Sequence, residues 1–178
     1  RFGAAGDRMR RLAGGVDDRE VLPPGEAKSI SRETTFGEDT RDRVLLEATL
    51  WAQSEKIGAD LRRKNRQARC VTLKVIYADF STITRSHTPR ENVSTDRAIF
   101  ETGARLLAQA RSKESQAVRL IGIGVSQLVE PSRQATLFTP SARKLEDLNK
   151  TIDRIRDRYG FGAIKTGRAV WLKDILPR

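Results

Sequence analysis

Lys28-Ser-Ile-Ser-Arg-Glu-Thr-Thr-Phe36 reads as a strand with little apolar surface to bury. It carries two cations, Lys28 and Arg32, with the hydroxyls of Ser29, Ser31, Thr34 and Thr35 among them. Small side chains of this kind donate hydrogen bonds to phosphate oxygens without bulk that would hold a phosphate backbone away. The strand is therefore expected to be exposed on one face and to meet something anionic. Gly37-Glu-Asp-Thr40 reads as the turn that follows, with Asp39 or Thr40 as the N-cap of a helix.

Working outward, Leu46, Leu50, Ile57 and Leu61 recur at helical spacing with Trp51 beside them, which predicts a helix over about 41–65. Its basic end, Arg62, Arg63 and Lys64 followed by Arg66 and Arg69, suits the negative pole of the helix dipole and is also placed to reach a phosphate. Residues 70–77 alternate, with Val71, Leu73, Val75 and Tyr77 facing one way and Thr72 and Lys74 the other. Ala78-Asp79 is the expected turn and 80–87 the partner strand, showing two or three of Ser81, Thr82, Thr84, Arg85 and Ser86 outward. Its register stays open, because Phe80 and Ile83 fall on opposite parities. Ser94 or Thr95 caps a second helix reaching about Arg111, with Ile99, Leu106, Leu107 and Ala110 inward. Residues 118–128 are apolar on both parities, as a central strand is. Gly122, Gly124 and Ser126 there share a face almost without side chains, suited to close packing of a helix or close approach of a polynucleotide backbone.

The order β-α-β-β-α-β predicts an α+β fold: a four-stranded sheet with two helices on one face and an open polar face. A short basic helix precedes it, around Arg8, Arg10 and Arg11, and Pro23-Pro24-Gly25 forms an extended tether. A C-terminal helical tail follows, with Leu145, Leu148, Ile152 and Ile155 as one apolar stripe over 141–159 and Val170-Trp-Leu172 as a further anchor.

The 178 residues suit one ordinary domain with tails, and 38% hydrophobic against 32% charged residues predicts a modest core under a charged surface. A formal net charge of +11 favours a polyanionic partner: DNA, RNA or an anionic membrane. No apolar run is long enough for a membrane span. The opening Arg-Phe-Gly-Ala-Ala-Gly is not a signal peptide and lacks an initiator Met, so a piece of a longer cytoplasmic protein is expected, acting as a monomer. Cys70 is the single cysteine, which excludes an intramolecular disulfide and a cysteine-rich zinc site.

A catalytic site is hard to assemble from these residues. His87 is alone at a strand end, Cys70 opens an apolar strand as buried filler, and adjacent Asp17-Asp18 side chains on an extended segment diverge. Gly122-Ile-Gly124 lies inside a strand, against a dinucleotide-binding loop, and no phosphate-cradling Gly-x-x-x-x-Gly-Lys-Ser/Thr is present. No catalytic residue and no metal ligand is assigned. The polar sheet residues Lys28, Ser29, Ser31, Arg32, Thr34, Lys74, Thr84 and Arg85 suit phosphate contact, and they also describe an ordinary solvated face.

The stretches 28–36, 71–85 and 118–126, agreeing in order and spacing, resemble the C-terminal little finger domain of Y-family (translesion) DNA polymerases, of the bacterial DNA polymerase IV kind. The resemblance implies 1–22 as the end of a helical thumb, 23–28 as a linker, 29–130 as the little finger and 131–178 as a tail. It implies that the eight polar residues just named grip backbone phosphates of primer–template DNA. The parent would be a polymerase using Mg2+ on palm carboxylates absent from this stretch, so the fragment itself needs no cofactor and is not expected to synthesise DNA. Gln134-Ala-Thr-Leu-Phe138 resembles the Gln-x-x-Leu-Phe peptide by which bacterial polymerases hold the sliding clamp, with Gln134, Leu137 and Phe138 as the matching positions. An apolar pair filling a pocket while the Gln orients the peptide is sound chemistry; the same pair could plug the domain's own core. The alternatives are a free-standing basic RNA-binding module, which would stack bases on sheet aromatics, and an adaptor. With aromatics only 6% of the chain, the first is disfavoured.

Overall fold

The computed structural model describes residues 2–23, 25–111, 116–131, 140–164 and 167. The elements are α1 (Gly3–Ala13), β1 (Ser29–Thr40), α2 (Arg43–Arg63), β2 (Gln67–Tyr77), β3 (Thr82–His87), α3 (Asp96–Arg111), β4 (Val118–Val129) and α4 (Pro140–Tyr159). The expected β-α-β-β-α-β order is present in β1 through β4. The sheet runs β1-β4-β2-β3 with every neighbouring pair antiparallel, so β4 is interior, as its two-sided apolarity predicted. β1 and β2 are consequently parallel across β4, and β3 and β4 parallel across β2. Each of those pairs is joined by a helix, giving two interlocked β-α-β crossovers.

The core lies between one sheet face and α2 with α3. Leu46, Leu50, Ile57 and Leu61 of α2 are fully buried against Val71, Leu73, Val75 and Tyr77 of β2 and Ile121, Ile123 and Val125 of β4. Each such side chain contributes roughly 1.5–3 kcal/mol relative to exposure. Trp51 meets Phe100 edge to face at 4.9 Å, tying α2 to α3. Buried Gln53 of α2 donates from Nε2 to the Ile121 carbonyl at 3.0 Å and to Thr34 Oγ1 at 2.9 Å, holding the helix to the sheet.

Several local expectations are corrected. β1 does not stop at Phe36 but continues to Thr40 through a bulge, and Asp42 is the N-cap, accepting from the amides of Val44 and Leu45. A carboxylate two residues before a helical amide reaches it more directly than Asp39 or Thr40 could. Phe80 is not a strand residue; it sits in the turn at φ 66° and is exposed, with the Arg119 guanidinium 4.7 Å from its ring. With Phe80 out of the strand the parity conflict disappears, and β3 pairs as Val71↔His87 through Ile76↔Thr82. Cys70 is half-buried opposite Ser126 rather than filling the core.

α4 departs most from its hydrophobic pattern. Leu148 is exposed, Ile152 and Ile155 are half-buried, and the most buried of the side chains described in α4 is Arg156, at 5%. Arg156 Nη2 donates to Glu55 of α2 at 3.0 Å and to the Ile164 carbonyl at 3.1 Å, and its guanidinium stacks 4.1 Å from the Phe161 ring. Asp153 accepts from Arg62 Nε at 2.6 Å, and the same Arg62 reaches Asp96 at 2.7 Å. The tail helix is thus joined to α2 by ions. Leu145 falls where no side chain is described, and Gln134-Phe138 and Val170-Leu172 lie outside the described residues.

Candidate nucleic-acid interface

Side chains alternate across a strand, and the pairing register therefore lays out the open face as a grid. Its rows, read β1 to β3, are Ser31, Gly124, Thr72, Ser86 and then Glu33, Gly122, Lys74, Thr84. Ser29, Ser126 and Cys70 form the row before, and Thr35, Leu120, Ile76 and Thr82 the row after. The face is mostly hydroxyl and glycine. Thr72 and Ser86 share a 2.9 Å hydrogen bond across β2 and β3, which leaves one of the two hydroxyls free to donate outward. The strip over Gly122 and Gly124 forms a shallow depression lined by Ser29, Ser31, Glu33, Thr72, Lys74, Thr84 and Ser126.

Of the eight residues expected on this face, Ser29, Ser31, Lys74 and Thr84 are there. Arg32, Thr34 and Arg85 are not. Arg32 shares the parity of buried Ile30, turns to the helix side and is ion-paired with Asp60 of α2. Thr34 is taken by Gln53. Arg85 pairs in register with buried Leu73, so it projects from edge strand β3 on the helix side. The physical reason is that β1 and β3 are edges. The helices cover edges incompletely, so polar side chains survive on the inward parity there. Lys28 stands exposed just before β1.

The sequence places Thr72 opposite Val71, Ser86 among the outward residues of 80–87 and Ser126 beside Gly122 and Gly124, and the register confirms all three on this face, although none was named as a contact. Glu33 and Thr35 are the members not assigned to it, and strict alternation from Ile30 is the signal that places them. Glu33 matters electrostatically: its carboxylate holds Lys74 Nζ at 3.0 and 3.1 Å. Over the four rows Lys74 and Glu33 are the charged side chains, and they cancel. Among the described residues neither Lys28 nor Arg85 has an ion-pair partner, and these cations sit at the two edge strands. A neutral, hydroxylated floor with a cation at its β1 edge is chemically suited to an anionic backbone and offers little for reading bases. No aromatic ring occupies the grid, so a base-stacking platform of the RNA-recognition kind is missing from it.

An antiparallel α+β sheet with its core helices on one face and a polar, small-residue face opposite is the little finger class of domain. The chain belongs to the impB/mucB/samB (Y-family) group, whose C-terminal domain matches residues 27–137. It is 43% identical over 175 residues to DNA polymerase IV of Dehalococcoides mccartyi strain CBDB1, covering 98% of this chain and 45% of that protein. It is 36% identical over 171 residues to DNA polymerase IV of Caulobacter vibrioides, covering 96% and 42%. The chain therefore spans less than half the length of these relatives. Among solved structures it resembles a post-insertion binary complex of Dbh DNA polymerase, with TM-score 0.52 and 19% identity over 72% of this chain and 36% of that one. A Dbh ternary complex matches with TM-score 0.50 and 18% identity, over 72% and 37%. At that identity the likeness is one of fold.

Proposed function

We propose that this chain is the DNA-holding little finger of a translesion DNA polymerase of the polymerase IV kind. Its open sheet face seats the phosphate backbone of primer–template DNA, with Ser29, Ser31, Lys74 and Thr84 on the floor and Lys28 at the β1 edge. The observation that carries this reading is the grid itself: hydroxyls and glycines without bulk, in a chain of net charge +11, on the one sheet face no core helix covers. The polymerase IV relatives matching almost the whole chain support it.

Residues 1–22 then end a thumb, 23–28 link it, and 29–130 hold the duplex. The peptide Gln134-Ala-Thr-Leu-Phe138, in the 131–178 tail, docks on a bacterial sliding clamp. Parent polymerases transfer nucleotides with Mg2+. Among the described residues no group of three or more His, Cys, Asp or Glu side chains could hold a metal. Among the described residues no helix is long and apolar enough to cross a membrane.

The test is a titration of labelled primer–template duplexes of two unrelated sequences across a salt series. Affinities for the two should agree within about twofold, and the log–log salt slope should reach about −2 to −4, the range of a few phosphate contacts at roughly −0.9 each. Absence of binding at low salt, or a strong preference for one sequence, would overturn the reading.

A further inference from the structure

We infer that Glu33 limits how tightly this face holds DNA, by keeping Lys74 from phosphate. The inference rests on the reading of the face given above. Glu33 and Lys74 stand on β1 and β2, two strands apart, a span of about 9–10 Å at ordinary strand spacing. They meet only because the residue between them in the row is Gly122. A Cβ at Gly122 would lie 2.7 Å from Glu33 Cγ, so the absent side chain is the channel through which Glu33 crosses β4. The two side chains remain 42% and 38% exposed, so the pair faces outward over the depression rather than supporting the core.

The consequence is electrostatic. A phosphate arriving on this row finds the row's one cation already neutralised, and drawing Lys74 away leaves an unpaired carboxylate beside the incoming anion. Exposed ion pairs are weak and exchangeable, so contact is discouraged rather than forbidden. With Ser31 and the Thr72–Ser86 pair in the next row offering uncharged hydroxyls, the floor holds a backbone loosely and the attraction falls to the exposed Lys28 beside β1. A face set this way can grip a duplex and still release it stepwise.

Glu33→Gln keeps the shape and removes the charge. In the full chain it should bind duplex DNA about three- to tenfold more tightly at 100 mM salt and steepen the log–log slope by about 0.9, one additional phosphate contact. In a Lys74→Met background the same substitution should still relieve the unpaired carboxylate's repulsion of phosphate but should not steepen the slope, because the added contact is made by Lys74. Unchanged or weaker binding by Glu33→Gln overturns the inference, as does an equal steepening of the slope in both backgrounds. If the wild-type chain binds no DNA, the reading of the face falls and this falls with it; if wild type binds and Glu33→Gln is no tighter, only the role of Glu33 falls.

Discussion

Gly58→Ala is expected to destabilise the domain by about 2–4 kcal/mol, although alanine ordinarily gains about 1 kcal/mol over glycine inside a helix. Gly58 lies within α2 where α3 begins. A Cβ there would fall on the Asp96 carboxylate, with Asp96 Cγ and Arg62 Nη1 each 3.0 Å away. Those two groups form an ion pair of 2.7 Å with side chains only 11% and 13% exposed. Burial raises the Asp96 carboxyl above the ordinary aspartate range in spite of the adjacent guanidinium, so this charge tolerates no loss of its partner. Asp96 is short and cannot retreat without leaving Arg62. Breaking a buried pair costs about 3–5 kcal/mol, which outweighs the propensity gain. Urea unfolding followed by circular dichroism should show the midpoint fall; a midpoint equal to or above wild type would contradict this packing.

The second large effect concerns α4. Arg156→Ala should release the helix from the domain while leaving the sheet folded. Glu55 and Arg156 are each about 4% exposed at the side chain, and Arg156 Nε and Nη1 have no hydrogen-bond partner among the described residues. An under-satisfied buried pair adds little net stability when intact, and removing one partner strands the other at a cost of about 3–5 kcal/mol. Among the described residues of α4, Leu148 is exposed and Ile152 and Ile155 are only half-buried, so little apolar contact would replace the lost ion pair. Hydrogen exchange should show α4 amide protection falling about a hundredfold or more, with β2 and β4 protection kept. The double substitution Glu55→Leu, Arg156→Leu should restore it, since apolar pairs replace buried ions well. Cooperative loss across β2 and β4, or no change in α4, would contradict the docking described.

The contrast between α2 and α4 explains how far the fold was legible. α2 is held by apolar periodicity, and Leu46, Leu50, Ile57 and Leu61 announced it. α4 carries a similar stripe but is seated by Asp153 and Arg156, whose partners Arg62 and Glu55 lie about 90–100 residues away. No local pattern distinguishes a buried arginine from a solvated one. The sheet divides the same way. β2 alternates cleanly, so Val71 through Tyr77 fell on the core side as expected. In β1 the inward positions Arg32 and Thr34 are polar, and composition there conceals parity. The polar strand residues were therefore recognised as a type before they could be assigned to a face. Glu33 escaped notice because its role depends on Gly122 and Lys74, which only the β1-β4-β2 order brings into one row.

The proposed seat of the duplex is the open sheet face and not the helices. At 20.0 kDa the chain is suited to two-dimensional NMR, and amide shifts during titration with a short duplex locate the contact directly. Perturbations should gather along Ser31, Gly124, Thr72 and Ser86 and along Glu33, Gly122, Lys74 and Thr84, with α2 and α3 quiet. Shifts centred on the outer faces of α2 and α3, with those two rows unmoved, would contradict it.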